Sequence, residues 1–327
     1  MHFWSQYSLF LAETLTFVIA LLILVVGILV VRRMSSTLEK SKLEIKKLNK
    51  KFNEYADILH AEILPKLEYK KITKAEKKSE KHAQHHARKR IFLLQFHGDI
   101  KASAVSNLRE EVTAVLQVAK PTDEVIVCLE SYGGMVSAYG LAASQLQRLR
   151  QKQIPLTVAI DKIAASGGYL MACVANRILA APFAIIGSIG VIAQLPNFHR
   201  LLKKNDIDFE QLTAGQFKRT LTMFGENTEK ARHKMQEEIE DIHGIFKEFI
   251  QHNRPIVDIQ QVATGEHWLA THAIKLNLAD ELITSDDYLL NASEQADIYQ
   301  IKYNDKKTLG EKISSIFSAL FMARPNI

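Results

Sequence analysis

The chain has 327 residues, 47% of them hydrophobic, and a formal net charge of +6. That length holds one large domain or two ordinary ones, and the apolar fraction suffices for a substantial core. The basic excess lies mostly between Arg32 and Arg90 while the remainder is close to balanced, so the charge belongs to one segment and nucleic acid is excluded as an expected partner.

A short tail, residues 1–8, precedes an apolar run from Leu9 to Val31. At about 1.5 Å per residue this run reaches about 34 Å, close to the thickness of a bilayer's hydrocarbon layer. Glu13, Thr14 and Thr16 fall in its first turns, where polar groups reach the interface. A cleaved signal peptide fits poorly, because no Lys or Arg precedes the run and no small-x-small site follows it. The run is read as one retained transmembrane helix. Arg32, Arg33 and a string of lysines follow it, so the positive-inside rule places the C-terminal bulk in the cytoplasm.

Within residues 32–65, Leu38, Ile45, Leu48, Phe52, Tyr55, Leu59 and Ile63 recur mostly at three- and four-residue steps up to Pro65. This spacing predicts an amphipathic, coiled-coil-like helix that packs on the catalytic domain or the membrane. Residues 66–90 are Lys, Glu, His and Arg almost without large apolar side chains, and read as a basic flexible linker beside anionic lipid head groups. His82, His85 and His86 have no Cys or carboxylate arranged with them and are taken as linker composition, so no metal site is expected.

From Ile91 the texture becomes globular. Strands are expected at 91–96, 124–130, 156–160, 178–181 and 191–195, with a strand-like run at 208–213. Helices are expected around 105–119, 137–151, 166–174 and 228–252. Continuous Val/Ile/Leu strands separated by helices indicate an α/β fold with strands buried on both faces. Ala180 to Leu195 is short for a second membrane span and carries Pro182, Gly187, Ser188 and Gly190, which suit a turn between buried strands. Cys128 and Cys173 lie in apolar runs and read as reduced core thiols. The catalytic domain is placed at 91–285, and the C-terminal extension, 286–327, receives no role.

Four glycine-bearing junctions carry the chemistry. Ser166 lies in AASGGY and Lys218 in AGQFKR, after a glycine turn. A serine hydroxyl needs a base beside it, and a lysine serves only when desolvation holds it neutral, so Lys218 is expected in an apolar pocket with a depressed pKa. In SYGGM, Gly133 and Gly134 let main-chain N–H groups point into a cleft as an oxyanion hole, and Ser166 N–H or Gly167 N–H is a further donor. In IGSIGV, Ser188 is placed to orient the lysine amine; a plain turn is the alternative reading for each glycine run. An α/β-hydrolase elbow is a competing reading, since Ala164-x-Ser166-x-Gly168 fits its pattern, with Asp241 and His267 in the required order. Asp161 to Ala164, however, stand between the expected strand end and the serine.

The runs ESYGGMV, DKIAASGGYLMA, APFAIIGSIGV, TAGQFKRTLT, GENTE and ATGEHWLATHAIKLNLADEL resemble, in this order, the signal peptide peptidase A family, most closely its SohB branch. The resemblance covers most of the chain. It implies a ClpP/crotonase-like fold of repeated β-β-α units preceded by the transmembrane and amphipathic helices, in a bacterial inner-membrane protein. It implies Ser166 as nucleophile, Lys218 as general base, Ser188 as the residue orienting the lysine, and Gly133 and Gly134 as the oxyanion hole. It also implies peptide or protein substrates, a homo-oligomer, a catalytic domain outside the cytoplasm, against the charge rule, and a reaction that needs no cofactor. One departure stands out: Tyr132 occupies a position where the family usually has proline. A crotonase-type acyl-CoA enzyme and a catalytically inactive membrane scaffold are the alternative functions.

Overall fold

The computed structural model describes residues 7–22, 25, 42–83 and 88–304. It forms two compact units, one from residues 1–43 with 303–327 and the other from Glu44–Lys302. In the first unit, residues 7–22 form a helix, α1, with exposed apolar side chains such as Leu9, Phe10 and Phe17. Most of the second half of the expected membrane segment, like residues 32–41 and 305–327, lies outside the described residues. Among the described residues no helix is long and apolar enough to cross a membrane.

The second unit is a mixed α/β fold built on one sheet. Its strands run in the order β1 (Lys42–Lys47), β10 (Ala296–Asn304), β2 (Lys89–Gly98), β3 (Glu124–Ser131), β4 (Leu156–Ile160), β6 (Arg177–Ala180) and β9 (Glu281–Leu282). Among the described residues the pairings from β10 across β2, β3, β4 and β6 to β9 are parallel. A buried parallel strand is covered on both faces, and β4 accordingly reads Leu-Thr-Val-Ala-Ile with all five residues buried. On one face Ile91, Leu93, Ile126, Ala159, Leu179 and Ile298 pack with Leu289 of α11 (Ser285–Ser293). Connecting β2 to β3, β3 to β4 and onward to β6 are α4 (Val105–Leu116), α5 (Val136–Gln151) and α6 (Gly167–Ala172), packed in succession.

The sheet forks at β3, and this fork places the site. Residues Val125 to Cys128 of β3 pair with β4, whereas its last residue, Ser131, pairs with Ala164 of β5 (Ile163–Ala165). Asp161 and Lys162 form the step from one branch to the other. β5 continues to β7 (Ile185–Gly187) in parallel, and β7 to β8 (His267–Leu269) in antiparallel pairing. The expected strand at 178–181 is thus β6, and Ala180 to Gly187 is strand end, turn and a second short strand, β7, rather than part of a span; after Gly190 the chain is exposed and irregular.

Five sequence expectations are corrected. Residues 42–47 are a strand, β1, not the start of the amphipathic helix, because they add to the sheet beside β10; α2 (Leu48–Ile63) begins only after them. Buried Asn49 then pins α2, donating to Ser293 O at 3.0 Å and Ala296 O at 2.8 Å and accepting Ile298 N–H at 2.8 Å. Residues 66–83 are helical, α3 (Lys66–Ala83), where a flexible linker was expected; Lys, Glu and Ala are strong helix formers even without an apolar stripe. Residues 191–195 and 208–213 form no strand, because the chain leaves the sheet after Gly190. The C-terminal boundary at 285/286 falls at the start of α11, and the following β10 is a sheet strand beside β2. Finally, β5 lies between β4 and Ser166, so the serine follows a strand directly.

The long helix α8 (Glu229–Asn253) opens on Thr228, whose hydroxyl accepts Ala231 N–H at 3.2 Å. At its far end buried Arg254 donates to Asn277 O at 2.7 Å and, bidentately, to Asp280 at 2.7 and 3.1 Å. Asp280 in turn accepts Ile178 N–H at 2.6 Å, fastening the C-terminal segment to β6.

Candidate active site

Ser166 occupies the single residue between β5 and α6, with φ 52° and ψ −119°. A non-glycine residue held at positive φ stores about 1–3 kcal/mol of strain and persists only where its surroundings dictate it. Here they do: Ser166 N–H donates to Gly187 O at 2.8 Å, and its carbonyl accepts Leu170 N–H at 3.0 Å. The residue is half-buried, and its hydroxyl makes no hydrogen bond among the described residues. This is a sharp strand-to-helix turn presenting a free hydroxyl, and the geometric objection to an elbow-like serine is removed.

The strand end Ser131 to Met135 lies directly against this turn. Gly133 has φ +88°, and a Cβ on it would come within 2.7 Å of Ser166 Cβ and 2.8 Å of Gly167 N. Only glycine permits both the conformation and the approach. On the other side Met135 N–H donates to Ile100 O at 2.8 Å, and a Cβ on Gly134 would meet that same oxygen at 2.2 Å. The run is therefore clamped between Ile100 and the serine turn. Gly133 N–H donates to Ser131 Oγ at 3.0 Å, so this amide is engaged within the protein. Ser166 N–H is likewise engaged. Gly134 N–H and Gly167 N–H carry no hydrogen bond among the described residues.

Ser188 is brought to the same place by strand pairing. Ala165 is in register with Gly187, so Ser166 and Ser188 leave neighbouring parallel strands side by side. Ser188, at φ 51°, donates its N–H to Glu266 O at 2.6 Å. Trp268 packs over Gly187, where a Cβ would come within 2.8 Å of the indole. Glu266 and Trp268 were invisible as site supports in the sequence, because only the antiparallel β7–β8 pairing gives them that role.

Lys218 stands apart. Its N–H donates to Gly215 O at 3.1 Å, and its exposed side chain makes no hydrogen bond or ion pair among the described residues. It lines an open cleft with Leu195, Phe209, Leu212 and Phe224, to which neither Ser166 nor Ser188 contributes. The segment that carries it, 191–228, has one short helix, α7 (His199–Lys204), and exposes Ile192 at 80% and Leu212 at 96%. Phe198, Phe209 and Phe224 form a small ring cluster with centroids 6.2 and 5.7 Å apart. The structure therefore unites Ser166, Ser188, Gly133 and Gly134 and leaves the lysine on an apolar, solvent-facing arm, not in the apolar pocket expected for it.

Two family models cover nearly all of this chain: the N-terminal model of peptidase family S49 matches residues 2–146 and the peptidase family S49 model matches residues 148–299. The chain belongs to peptidase family S49. Its similarity is to members named probable protease SohB. The Haemophilus influenzae protein is 50% identical over 322 residues, 94% of this chain and 91% of that one. The protein from Buchnera aphidicola subsp. Schizaphis graminum is 47% identical over 320 residues, 95% and 93% of the two chains. Family and relatives together support peptidase activity of the serine type. Among solved structures, a mutant of the 1510-N membrane-bound stomatin-specific protease overlaps 63% of this chain and 85% of its own at 16% identity. Its TM-score of 0.41 is too low to assign a fold.

Proposed function

We propose that the chain is a membrane-anchored serine endopeptidase that cleaves short, unfolded or apolar peptide segments by a Ser/Lys dyad, on a ClpP/crotonase-like fold. The observation that carries this reading is the strained serine turn: a free Ser166 hydroxyl on an elbow, with a glycine strand end seated against it. Peptidase family membership supports reading that hydroxyl as the nucleophile. In the reaction Ser166 Oγ bonds to the scissile carbonyl carbon while its proton passes to neutral Lys218 Nζ. The oxyanion is received by the Gly134 and Gly167 amides, with Gly133 contributing shape rather than its N–H. Protonated Lys218 then gives its proton to the departing amine, and water activated by the same lysine releases the acyl group from Ser166. Ser188, beside Ser166, orients the lysine.

This chemistry requires Lys218 to leave solvent and reach the serine. The apolar side chains around it, Leu195, Phe209, Leu212 and Phe224, are suited to excluding water once covered. In this proposal a second copy of the chain covers them, so that the active unit is a homo-oligomer. Anchoring over residues 9–31 in a bacterial inner membrane is supported by the apolar sequence and by the exposed apolar side chains of α1.

The test compares detergent-solubilised full chain with Ser166→Ala and Lys218→Ala on unfolded casein and on apolar peptides. Loss of cleavage by several orders of magnitude in both folded variants supports the dyad. Near-normal cleavage by Lys218→Ala refutes lysine as the base, and cleavage by Ser166→Ala refutes the nucleophile.

A further inference from the structure

Tyr139 occupies the middle of the site from below. Its ring is fully buried and lies against Gly167, where an added Cβ would come within 2.4 Å of the ring's Cγ. The residue after the nucleophile is therefore held at a height set by this ring. The Tyr139 hydroxyl lies 2.6 Å from Ser131 Oγ and donates to Asp99 O at 2.8 Å. Ser131 Oγ also accepts Gly133 N–H at 3.0 Å.

The direction of this row of hydrogen bonds is fixed by counting protons. A phenol has one proton and a carbonyl oxygen only accepts, so the Tyr139 proton points to Asp99. The short contact with Ser131 must then be donated by Ser131. The chain runs one way, from Gly133 N–H to Ser131, from Ser131 to Tyr139, and from Tyr139 to the Asp99 carbonyl. Glycine walls leave it no slack. A Cβ on Gly98 would lie 2.3 Å from the Tyr139 hydroxyl and 2.5 Å from Ser131 Oγ, and one on Gly168 would lie 2.7 Å from Ser131 O. Burial also raises the Tyr139 pKa, which keeps the donor protonated at neutral pH.

We propose that Tyr139 is a positioning residue for the peptidase reaction. Through Ser131 it holds the peptide plane at Gly133, and so aims the next amide, Gly134 N–H, at the oxyanion position. Its ring meanwhile sets the position of the second amide, Gly167 N–H. The inference rests on the reading of Ser166 as nucleophile and of these two amides as the hole. Tyr139 touches no reacting atom; it acts through Ser131 and the two glycines.

The experiment uses the full-length chain in detergent and the variants Tyr139→Phe, which keeps the ring, and Ser131→Ala, together with their double variant. Three quantities are read: kcat and KM on an apolar peptide, the second-order rate of Ser166 labelling by a fluorophosphonate, and the fraction labelled at completion. Deleting an oxyanion donor lowers kcat by about 10²–10³, and a donor retained but misaimed loses part of that. Tyr139→Phe is therefore expected to lower kcat about ten- to a hundredfold, with KM within about twofold. The labelling rate should fall by the same factor, and the final labelled fraction should match wild type. Ser131→Ala should do the same, and the double variant should be no worse than the poorer single one, because both break one chain. A Tyr139→Phe enzyme within twofold of wild-type kcat overturns the proposal while leaving the Ser166 reading intact. So does a loss that matches a fall in the labelled fraction, which would mark simple unfolding, or effects that multiply in the double variant. A wild-type chain that cleaves peptide without ever being labelled at Ser166 removes both.

Discussion

Gly133→Ala probes the contact on which the whole site depends. The new methyl would stand 2.7 Å from Ser166 Cβ, 2.8 Å from Gly167 N and 2.9 Å from Ala165 O. Ordinary carbon contacts begin at about 3.4 Å, so the strand end and the serine turn must part by about 0.7 Å. None of the three atoms is the far end of a flexible side chain, so rotation gives no relief. If the loop stays in place, overpacking costs about 1–3 kcal/mol. The positive φ of 88° adds about 1–2 kcal/mol for a residue with a Cβ. If the loop moves instead, the oxyanion amides move with it, and a displacement approaching 1 Å costs up to about 10²-fold in rate. Thermal melting and peptide-cleavage kinetics on the purified variant read both outcomes. The expected result is a melting midpoint lower by about 5 °C or more, or a kcat at least tenfold down, or both. A variant with wild-type midpoint and kcat would show that Gly133 is not pressed against Ser166, and the reasoning would fail.

Gly140 and Gly244 sit in α5 and α8, and a Cβ at either meets nothing within 4 Å. Gly140→Ala and Gly244→Ala should therefore each stabilise by about 0.5–1 kcal/mol with unchanged kcat, and a lower melting midpoint in either would contradict the open surroundings. Burial raises the carboxyls of Asp123 and Glu124, but their partners outweigh it and both end below the ordinary carboxylate range. Arg90 and Lys120 N–H hold Asp123; Lys89, Thr157 and Tyr288 hold Glu124. A depressed folded pKa means that stability is complete above the unfolded pKa, about 4, and is lost as pH falls through the folded value. The melting midpoint should thus be flat above about pH 5 and fall below about pH 4. Asp123→Asn with Glu124→Gln should lower the plateau and flatten that acid slope, and a slope unchanged in the double variant would refute the assignment. Burial pushes the Cys128 thiol up to about 11 and raises Cys173 as well. Iodoacetamide at pH 8 should label buried Cys173 only as fast as the chain unfolds and half-buried Cys128 well below the rate of a free thiol, and rapid labelling of the native protein would contradict this.

Much of the α/β core was legible because its signals are local. The strands at 91–96, 124–130 and 156–160 are continuous apolar runs, and the helices between them carry ordinary helical periodicity. The site's glycine junctions were legible as places where the chain turns sharply, but not what walls them: the Gly133 N–H, expected to face an oxyanion, is taken by Ser131 Oγ, and Gly167 lies against the Tyr139 ring. What escaped was set by distant partners. β1 and β10 are strands because each finds a sheet edge, and β10 lies some two hundred residues from β2 in sequence. β5 is three residues long and owes its existence to the fork at Ser131, which no propensity reveals. Residues 191–195 are apolar enough for a strand, yet no strand edge receives them after Gly190. Nothing local marks Tyr139 within the expected helix at 137–151; its hydroxyl gains meaning only when Asp99 and Ser131 arrive from two other strand ends.

A covalent acyl-enzyme on Ser166 has a position in the chain that can be measured directly. The full-length protein in detergent is treated with a fluorophosphonate, digested, and the adduct located by tandem mass spectrometry while peptide cleavage is followed in the same sample. One adduct is expected, on Ser166, with its formation paralleling the loss of cleavage and much slower in Lys218→Ala. An adduct on another residue that abolishes cleavage, or full cleavage with Ser166 replaced by alanine, contradicts it.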